Sequence, residues 1–184
     1  MSANAPVVGI ALRPAEDRDV ARITAIYADH VLTGLASFEV APPDAAEIAR
    51  RRADVLARGL PYVVAEVAGA VVGYAYAAPY RLRPAYAYTV EDSVYVHREA
   101  VGRGVGRRLL ERLISDCADR GYRQLLAVIG DSGNAPSIAL HAACGFTRVG
   151  VLSAVGFKFG RWVDSVLMQR PLGEGDATRP VERG

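Results

Sequence analysis

Three glycines alternate with other residues in Gly102-Arg103-Gly104-Val105-Gly106, directly before a run with helical periodicity. The upstream run Tyr88 to Val96 is rich in β-branched and aromatic residues, which predicts a strand. A helix start presents unpaired backbone N–H groups and the positive end of the helix dipole, and glycine lets an anion approach that backbone without a Cβ in the way. The loop between this strand and helix is therefore either a phosphate cradle or a tight turn followed by a solvated arginine face.

Hydrophobic periodicity along the rest of the chain predicts the order β-α-α-β-β-β-α-β-α-β-β, and hence one mixed α/β domain. The predicted strands are Val7 to Ala15, a hairpin within Tyr62 to Pro79, Tyr88 to Val96, Arg123 to Gly130, and runs around Thr147 to Ser153 and Trp162 to Arg170. The predicted helices are Val20 to Val31, Asp44 to Arg58, Val105 to near Gly121, and Asn134 to Phe146. We expect the domain to span residues 1–171 and residues 172–184, rich in Pro, Gly and charge, to form a disordered tail.

The composition excludes several classes of protein. A formal net charge of +2 over 184 residues gives no electrostatic reason to expect a nucleic-acid partner. No apolar stretch approaches the roughly 20 residues that span a bilayer, and the amino terminus lacks the pattern of a signal peptide. Cys117 and Cys144 lie in apolar helical patterns without zinc-site spacing, so we expect two buried free thiols and no metal. We therefore expect a soluble, cytoplasmic protein that binds neither membrane nor nucleic acid.

The strand before the glycine loop carries a candidate catalytic base. Period-2 alternation places Glu91 on the more polar face, together with Thr89, Ser93 and Tyr95. A glutamate has an unperturbed pKa of about 4.3, and partial burial can raise it toward roughly 6–7, where it can take a proton from an amine. The residues alone leave open the alternative of an ordinary exposed carboxylate.

The connector from Tyr80 to Tyr86 carries Arg81 and Arg83, directly before the same strand. An arginine fork binds carboxylate or phosphinate groups bidentately, so these side chains are candidates for substrate binding. The alternative is that they are exposed loop residues that increase solubility. Phe38, Tyr86 and Trp162 are candidate pocket walls, although each could equally belong to the core.

Several segments together resemble the GNAT superfamily of N-acetyltransferases. The loop Val101 to Gly106 has the form Q/R-x-x-G-x-G/A of that family, with Val101 in place of the usual Gln or Arg. The family's motifs are also mirrored by Val63 to Pro79, Arg81 to Val96, Asn134 to Phe146 and Gly156 to Asp164. Over roughly Ile10 to Pro171, this set is most similar to the phosphinothricin and methionine sulfoximine N-acetyltransferase branch.

The resemblance implies a fold and a donor. The fold would be a single GNAT-type α/β (α+β) domain with a central mixed, mostly antiparallel sheet, splayed between two central strands and flanked by helices. The donor would be acetyl-CoA, bound with no metal. Its binding residues would be the main chain of Val94, Tyr95 and Val96, the N–H groups of Gly102, Arg103, Gly104, Val105, Gly106 and Arg107, and the residues Asn134 and Ser137 at the point where two strands diverge.

The resemblance also implies catalytic and acceptor-binding roles. Glu91 would deprotonate the amine, and His141, which stands where many GNAT enzymes have a tyrosine, would protonate the departing thiolate. A partly buried histidine hydrogen-bonded to backbone is an equally open interpretation of His141. Acceptor contacts would fall on Phe38, Arg81, Leu82, Arg83, Glu91, Asp92 and Ser93.

The acceptor implied by this branch is the α-amino group of a small amino-acid analogue, and the implied assembly is a homodimer with Lys158 and Trp162 near the active site and the interface. A polyamine, an antibiotic or a protein N-terminus are alternative acceptors. A non-catalytic acyl-CoA sensor and an arginine-mediated anion-binding module are alternatives from other functional classes.

Overall fold

The computed structural model of the chain describes residues 9–181. These residues form seven strands and four α-helices, and the elements follow one another in the predicted order. The elements are β1 Ala11–Pro14, α1 Val20–Thr33, α2 Ala45–Ala57, β2 Tyr62–Val67, β3 Ala70–Pro79, β4 Thr89–Val96, α3 Val105–Asp119, β5 Gln124–Gly130, α4 Ala135–Ala143, β6 Thr147–Lys158 and β7 Arg161–Pro171. No helix within residues 9–181 has the length and apolar character needed to cross a membrane.

The strands form one sheet in the order β1-β2-β3-β4-β5-β7-β6. Only β4 and β5 run parallel, because α3 carries the chain back along the sheet between them. These two strands pair at just three positions, from Thr89 opposite Gln124 to Glu91 opposite Leu126, and then separate. The predicted mixed, mostly antiparallel sheet and its splay between two central strands are therefore confirmed.

Helices cover both faces of the sheet, and β3 with β4 shows which helix lies on which face. Tyr74 lies opposite Tyr95, and the Tyr95 ring packs edge-on against Tyr27 of α1 with 5.0 Å between centroids. The neighbouring residue Gly73 faces α3, since a Cβ there would lie 3.1 Å from Leu109. Because successive strand residues point to opposite faces, α1 and α3 lie on opposite sides of the sheet. Helix α2 packs beside α1, and α4 packs beside α3.

The apolar stripe predicted on α3 forms part of the core. Its four members, Val105, Leu109, Leu113 and Cys117, are all buried, and Leu110 is buried with them. Cys117 and Cys144 are both free and buried, which confirms the prediction of two buried free thiols. Removing this many apolar side chains from water is what holds α3 against the sheet, at about 25 cal/mol per Å² of apolar surface.

Two elements differ from their predicted bounds. Strand β6 continues to Lys158, past the predicted end at Ser153, because bulges between Arg148 and Gly150 and between Leu152 and Gly156 break the alternation that would have revealed it. In the second bulge, Asp164 Oδ1 accepts a hydrogen bond from the N–H of Ala154 at 2.8 Å in place of a strand partner.

Helix α4 is shorter than the predicted run from Asn134 to Phe146. Asn134 lies outside the helix and caps it, since its side chain accepts a hydrogen bond from the N–H of Ser137. The helix ends at Ala143, and Gly145 follows in a left-handed conformation with φ of +83°.

The ends of the chain bear on the predicted domain bounds. The first residues of the predicted strand from Val7 lie outside the described residues, and the described strand is confined to β1. Leu172 is buried, and its N–H donates to the carbonyl oxygen of Arg123 at 2.9 Å. Residues 173–181 form turns and loop beside Arg123 and Tyr88. The boundary after residue 171 and the disordered tail stay predictions, and residues 182–184 lie outside the described residues.

Candidate active site

A cavity of about 270 Å³ lies where β4 and β5 separate. Its walls are residues 91–95 of β4, residues 127–130 of β5, residues 36–38 of the loop after α1, Asn134, Ser137 and His141 at α4, and Ser165 of β7. Because the main chain of β4 beyond Glu91 has lost its β5 neighbour, its backbone groups on that side can pair with an extended ligand. The splay therefore creates both the space and the hydrogen-bonding edge of a binding site.

The loop after α1 closes one end of the cavity, and sequence reasoning detected only Phe38 in it. The loop backbone crosses the end of β5 so closely that any Cβ at Gly130 would overlap the carbonyl oxygen of Leu35, and the Phe38 ring occupies the space of a Cβ at Gly156. Lys158 Nζ donates a hydrogen bond to the carbonyl oxygen of Ser37 at 2.7 Å and is itself buried. Gly130 and Gly156 are thus the positions at which this crossing leaves no room for a side chain.

Glu91 lines the cavity and is half-buried. Burial, together with the charge of the adjacent Asp92, raises the pKa of Glu91 to about 6. At neutral pH the side chain is therefore mostly ionised, yet it is a much better proton acceptor than an exposed glutamate. Next along the polar face of the strand, Ser93 also lines the cavity and lies opposite Tyr76 of β3.

Asp92 points away from that face and pairs with His141. Its Oδ2 lies 3.0 Å from Nε2 of His141, while Nδ1 of the same ring lies 2.8 Å from the carbonyl oxygen of Ser137. Both side chains are almost fully buried, with 2% of Asp92 and 5% of His141 exposed. Burial lowers the pKa of His141, but the hydrogen bond and charge of Asp92 and the Ser137 carbonyl outweigh it, so the pKa lies above its ordinary value. His141 thus has the predicted backbone hydrogen bond and, in addition, a carboxylate partner.

The glycine loop has the geometry of an anion cradle. Gly102 and Gly104 have φ of +77° and +82°, a left-handed conformation that side chains with a Cβ rarely adopt. Gly104 is the N-cap of α3 and has no side chain that could accept a hydrogen bond from the first N–H groups of the helix. Within residues 9–181, the first N–H of this helix that donates to a backbone oxygen is that of Arg108, which donates to Gly104. The preceding N–H groups are therefore free to bind an anion.

The side chains around this loop differ in what they contact. Arg103 is exposed, whereas Arg107 forms an ion pair with Glu111 one helical turn later. A Cβ at Gly106 would lie 3.3 Å from Leu140 of α4 and 3.5 Å from Val96 of β4, so the loop sits next to the end of the splayed strand. Val105 is buried in the core and anchors the start of the helix.

The remaining predicted donor-binding residues lie along one path from this loop to the cavity. Val94 and Tyr95 line the cavity, and the carbonyl oxygen of Val96 accepts a hydrogen bond from Nε2–H of His30 at 2.9 Å. Asn134 and Ser137 also line the cavity, where they form the cap of α4.

The predicted acceptor-binding arginines are not in the cavity wall. Arg81 to Arg83 lie exposed on the connector before β4, with the Arg81 guanidinium 5.1 Å from the centre of the Tyr80 ring. Tyr80 and Tyr86 line a second, more apolar cleft of about 330 Å³, which shares Ala127 and Val128 with the first cavity. The structure therefore brings Phe38, Glu91 and Ser93 together and leaves the connector at the rim of the neighbouring cleft.

The β6–β7 hairpin exposes a set of large apolar side chains next to these cavities. Its exposed members are Val149, Leu152, Val155, Phe157, Phe159 and Trp162. Phe157 and Trp162 pack edge-on with 5.3 Å between ring centroids, and two-thirds of Trp162 is exposed. A concentration of apolar side chains of this kind is typical of an interaction surface.

Comparisons with known proteins agree with this geometry. The acetyltransferase (GNAT) family profile matches residues 23–146. The chain is 59% identical over 169 residues, 92% of its length and 86% of the relative, to phosphinothricin N-acetyltransferase from Alcaligenes faecalis. It is 42% identical over 166 residues, 89% of its length and 95% of the relative, to the L-methionine sulfoximine/L-methionine sulfone acetyltransferase of Salmonella typhimurium. The crystal structure of a phosphinothricin acetyltransferase from Sinorhizobium meliloti in complex with AcCoA superimposes with a TM-score of 0.92 at 49% identity, covering 94% of both chains.

Proposed function

The chain belongs to the acetyltransferase (GNAT) family, and from that premise we propose that it transfers the acetyl group of acetyl-CoA to the α-amino group of phosphinothricin, methionine sulfoximine or methionine sulfone. The observation that carries the choice of acceptor is the 59% identity to a phosphinothricin N-acetyltransferase over nearly the whole chain. The methionine sulfoximine/sulfone acetyltransferase at 42% identity supports the wider acceptor class.

The site fits acetyl-CoA as a substrate. Backbone N–H groups of Gly102 to Arg107, at the start of α3, would bind the pyrophosphate, where the helix dipole adds roughly 0.3–1 kcal/mol. The edge of β4 at Val94 to Val96, which has no β5 neighbour, would bind the pantetheine arm as an added strand. Asn134 and Ser137 flank the same gap. Bound acetyl-CoA supplies an activated acyl group on a thiolate leaving group.

Glu91 is the proposed base. An amino-acid amine is mostly ammonium at neutral pH, and the Glu91 carboxylate, with its pKa of about 6, would take the excess proton directly or through a water. Backbone N–H groups at Val94 to Val96 would stabilise the negative charge that develops on the carbonyl oxygen. As the new C–N bond forms and the C–S bond breaks, the nitrogen loses a second proton, which Glu91 would take after it has passed the first to water, and His141 would give a proton to the departing sulfur.

Acceptor binding is proposed for Phe38, Ser93 and the connector. Phe38 and Ser93 already form walls of the cavity. Arg81 to Arg83, at the rim, would bring a guanidinium to the α-carboxylate or phosphinate of the acceptor, which requires a paired cation.

We also propose that the protein is a cytoplasmic homodimer. The apolar surface of the β6–β7 hairpin, centred on Phe157 and Trp162, supports an interface between two copies. Analytical ultracentrifugation should give twice the chain mass of 19.6 kDa, and Trp162→Glu should shift the protein toward the monomer. A wild-type protein that sediments as a monomer at micromolar concentration would contradict the dimer.

An acceptor panel tests the proposed reaction. Thiol release from acetyl-CoA is measured with phosphinothricin, methionine sulfoximine and methionine sulfone, and compared with methionine, spermidine and a short peptide with a free N-terminus. We expect the first three to have the highest kcat/KM. Turnover with spermidine or the peptide alone would overturn the proposed acceptor class, and acetyl-CoA binding without turnover on any amine would favour a sensor.

A further inference from the structure

The His141 ring is held between two hydrogen-bond acceptors. A backbone carbonyl can only accept, so the contact of 2.8 Å from Ser137 oxygen requires a proton on Nδ1. The contact of 3.0 Å between Nε2 and Asp92 Oδ2 then requires a second proton, shared between the imidazole and the carboxylate. The pair therefore holds one proton more than a neutral histidine beside an ionised aspartate.

We propose that Asp92 is a positioning residue for His141: its carboxylate keeps the imidazole doubly protonated, and the Nε2 proton that Asp92 Oδ2 shares at rest passes to the departing thiolate. This inference rests on the proposed acetyl transfer and adds to it a residue that does not itself act on the substrate. When the C–S bond breaks, its electron pair leaves on sulfur and the Nε2 proton joins it. The imidazole then regains a proton from water or from Glu91, which has taken one from the amine.

The charge of Asp92 is paired with His141 at 3.0 Å. Other titratable groups that interact with Asp92 within residues 9–181 are Glu91 on β4 and the thiols of Cys117 on α3 and Cys144 after α4. Burial raises the pKa of both thiols, so both are neutral, and Glu91 carries the same sign as Asp92.

The second oxygen of the same carboxylate, Oδ1, is also removed from solvent. Among residues 9–181, Asp92 Oδ1 is buried without a hydrogen-bond partner. A buried carboxylate is costly unless it is paired, so the charge of Asp92 depends on the imidazolium and, in turn, maintains it.

The substitution Asp92→Asn removes the negative charge of this side chain and nearly keeps its shape. The asparagine amide can donate to Nε2, so His141 would become neutral, with its proton on Nδ1 still bound to the Ser137 carbonyl. The ring should keep its place while it loses the proton that the reaction needs.

Histidine-labelled protein without substrates provides the direct test. The side-chain nitrogen signals of wild type and Asp92→Asn are followed by NMR from pH 5 to pH 9, with His141→Gln used for assignment and His30 and His97 as internal references. We expect the wild-type His141 to stay imidazolium at pH 7 and the variant to be neutral there. The same His141 titration in both proteins would overturn the proposal, whichever amine the enzyme acetylates.

Kinetics supply the second arm. We expect Asp92→Asn to lower kcat about 10²-fold, the lower range for loss of a general acid, with the KM for acetyl-CoA changed less than about threefold. The alkaline limb of the kcat profile should move to lower pH, and the acid limb should also move down, because Asp92 contributes to the raised pKa of Glu91.

Two further variants separate positioning from a general loss of structure. Asp116→Asn, which removes a carboxylate paired with Arg112 on α3, is the matched control and should leave both limbs in place. The double variant Asp92→Asn/His141→Gln should be no slower than His141→Gln alone, because both changes remove one proton donor. Fully multiplicative losses would refute a shared role.

Discussion

Replacing Glu91 with glutamine should stabilise the fold at neutral pH while it abolishes most activity. The native pKa of about 6 lies above the ordinary value of 4.5, mainly because burial penalises the charged form. One pKa unit corresponds to about 1.4 kcal/mol, so the ionised carboxylate costs the native state about 2 kcal/mol relative to the unfolded chain. Glutamine has nearly the same shape and carries no charge, so it avoids this cost.

The sign of the pH dependence follows from proton binding. Between pH 4.5 and pH 6 the native protein binds more protons at Glu91 than the unfolded chain does, so its stability falls as the pH rises through that window. The advantage of Glu91→Gln should therefore be near zero at pH 4 and approach about 2 kcal/mol by pH 7. For a chain of 184 residues, this corresponds to a rise in Tm of about 4–8 °C.

Urea unfolding of wild type and Glu91→Gln at pH 4.5, 6 and 8 measures the difference directly. Glu99→Gln, an exposed glutamate after β4, is the control and should show no pH-dependent gain. The same samples, assayed for acetyl transfer, should show that Glu91→Gln loses at least about 10²-fold in kcat at pH 7, with the loss shrinking as the pH rises and the amine deprotonates unaided. A stability difference that does not change with pH would contradict the raised pKa of Glu91, and undiminished turnover at pH 7 would contradict its role as the base.

Two other substitutions test the walls of the site. Gly104→Ala forces a side chain into a left-handed conformation at a cost of about 1 kcal/mol, which should raise the KM for acetyl-CoA about fivefold. The control Val101→Gln should change this KM less than twofold. Equal effects of the two substitutions in steady-state kinetics would show that the backbone of the loop does not bind the pyrophosphate. Lys158→Met removes the hydrogen bond to the Ser37 carbonyl and should raise the acceptor KM without changing that for acetyl-CoA, while Arg161→Met on the same hairpin should leave both unchanged. An unaltered acceptor KM in Lys158→Met would show that this hydrogen bond does not hold the loop in place.

The order of the elements and the position of the glycine loop could be predicted because they depend on local chemistry. The apolar stripe from Val105 to Cys117 repeats at helical spacing, and Gly102 and Gly104 supply the positive φ values that the turn requires. Alternation along β4 places Glu91 and Ser93 on one face of the strand, and both line the cavity. The bulged strand β6 was predicted too short, since alternation fails wherever an extra residue enters the strand.

The roles that family resemblance assigns to the site residues stay predictions. The structure shows which of these residues lie in the cavity and which lie outside it. Asp92 was expected at the substrate, but its side chain is buried against His141, 49 residues later in the chain. Arg81 to Arg83 were expected in the acceptor site and lie exposed at the rim. In both cases the sequence pattern identified a charged residue but did not indicate where its side chain lies in the fold.

Local sequence patterns are enough to predict a mixed α/β chain with a glycine loop at the start of a helix and a carboxylate on the preceding strand. These features follow from periodicity and turn chemistry, which act between residues that are near in sequence. Three features became visible only in the folded chain: β4 and β5 separate after Glu91, the loop after α1 crosses Gly130, and Asp92 contacts His141. Those outcomes depend on how distant elements pack, and the raised pKa values of Glu91 and His141 depend on the burial and partners that this packing creates.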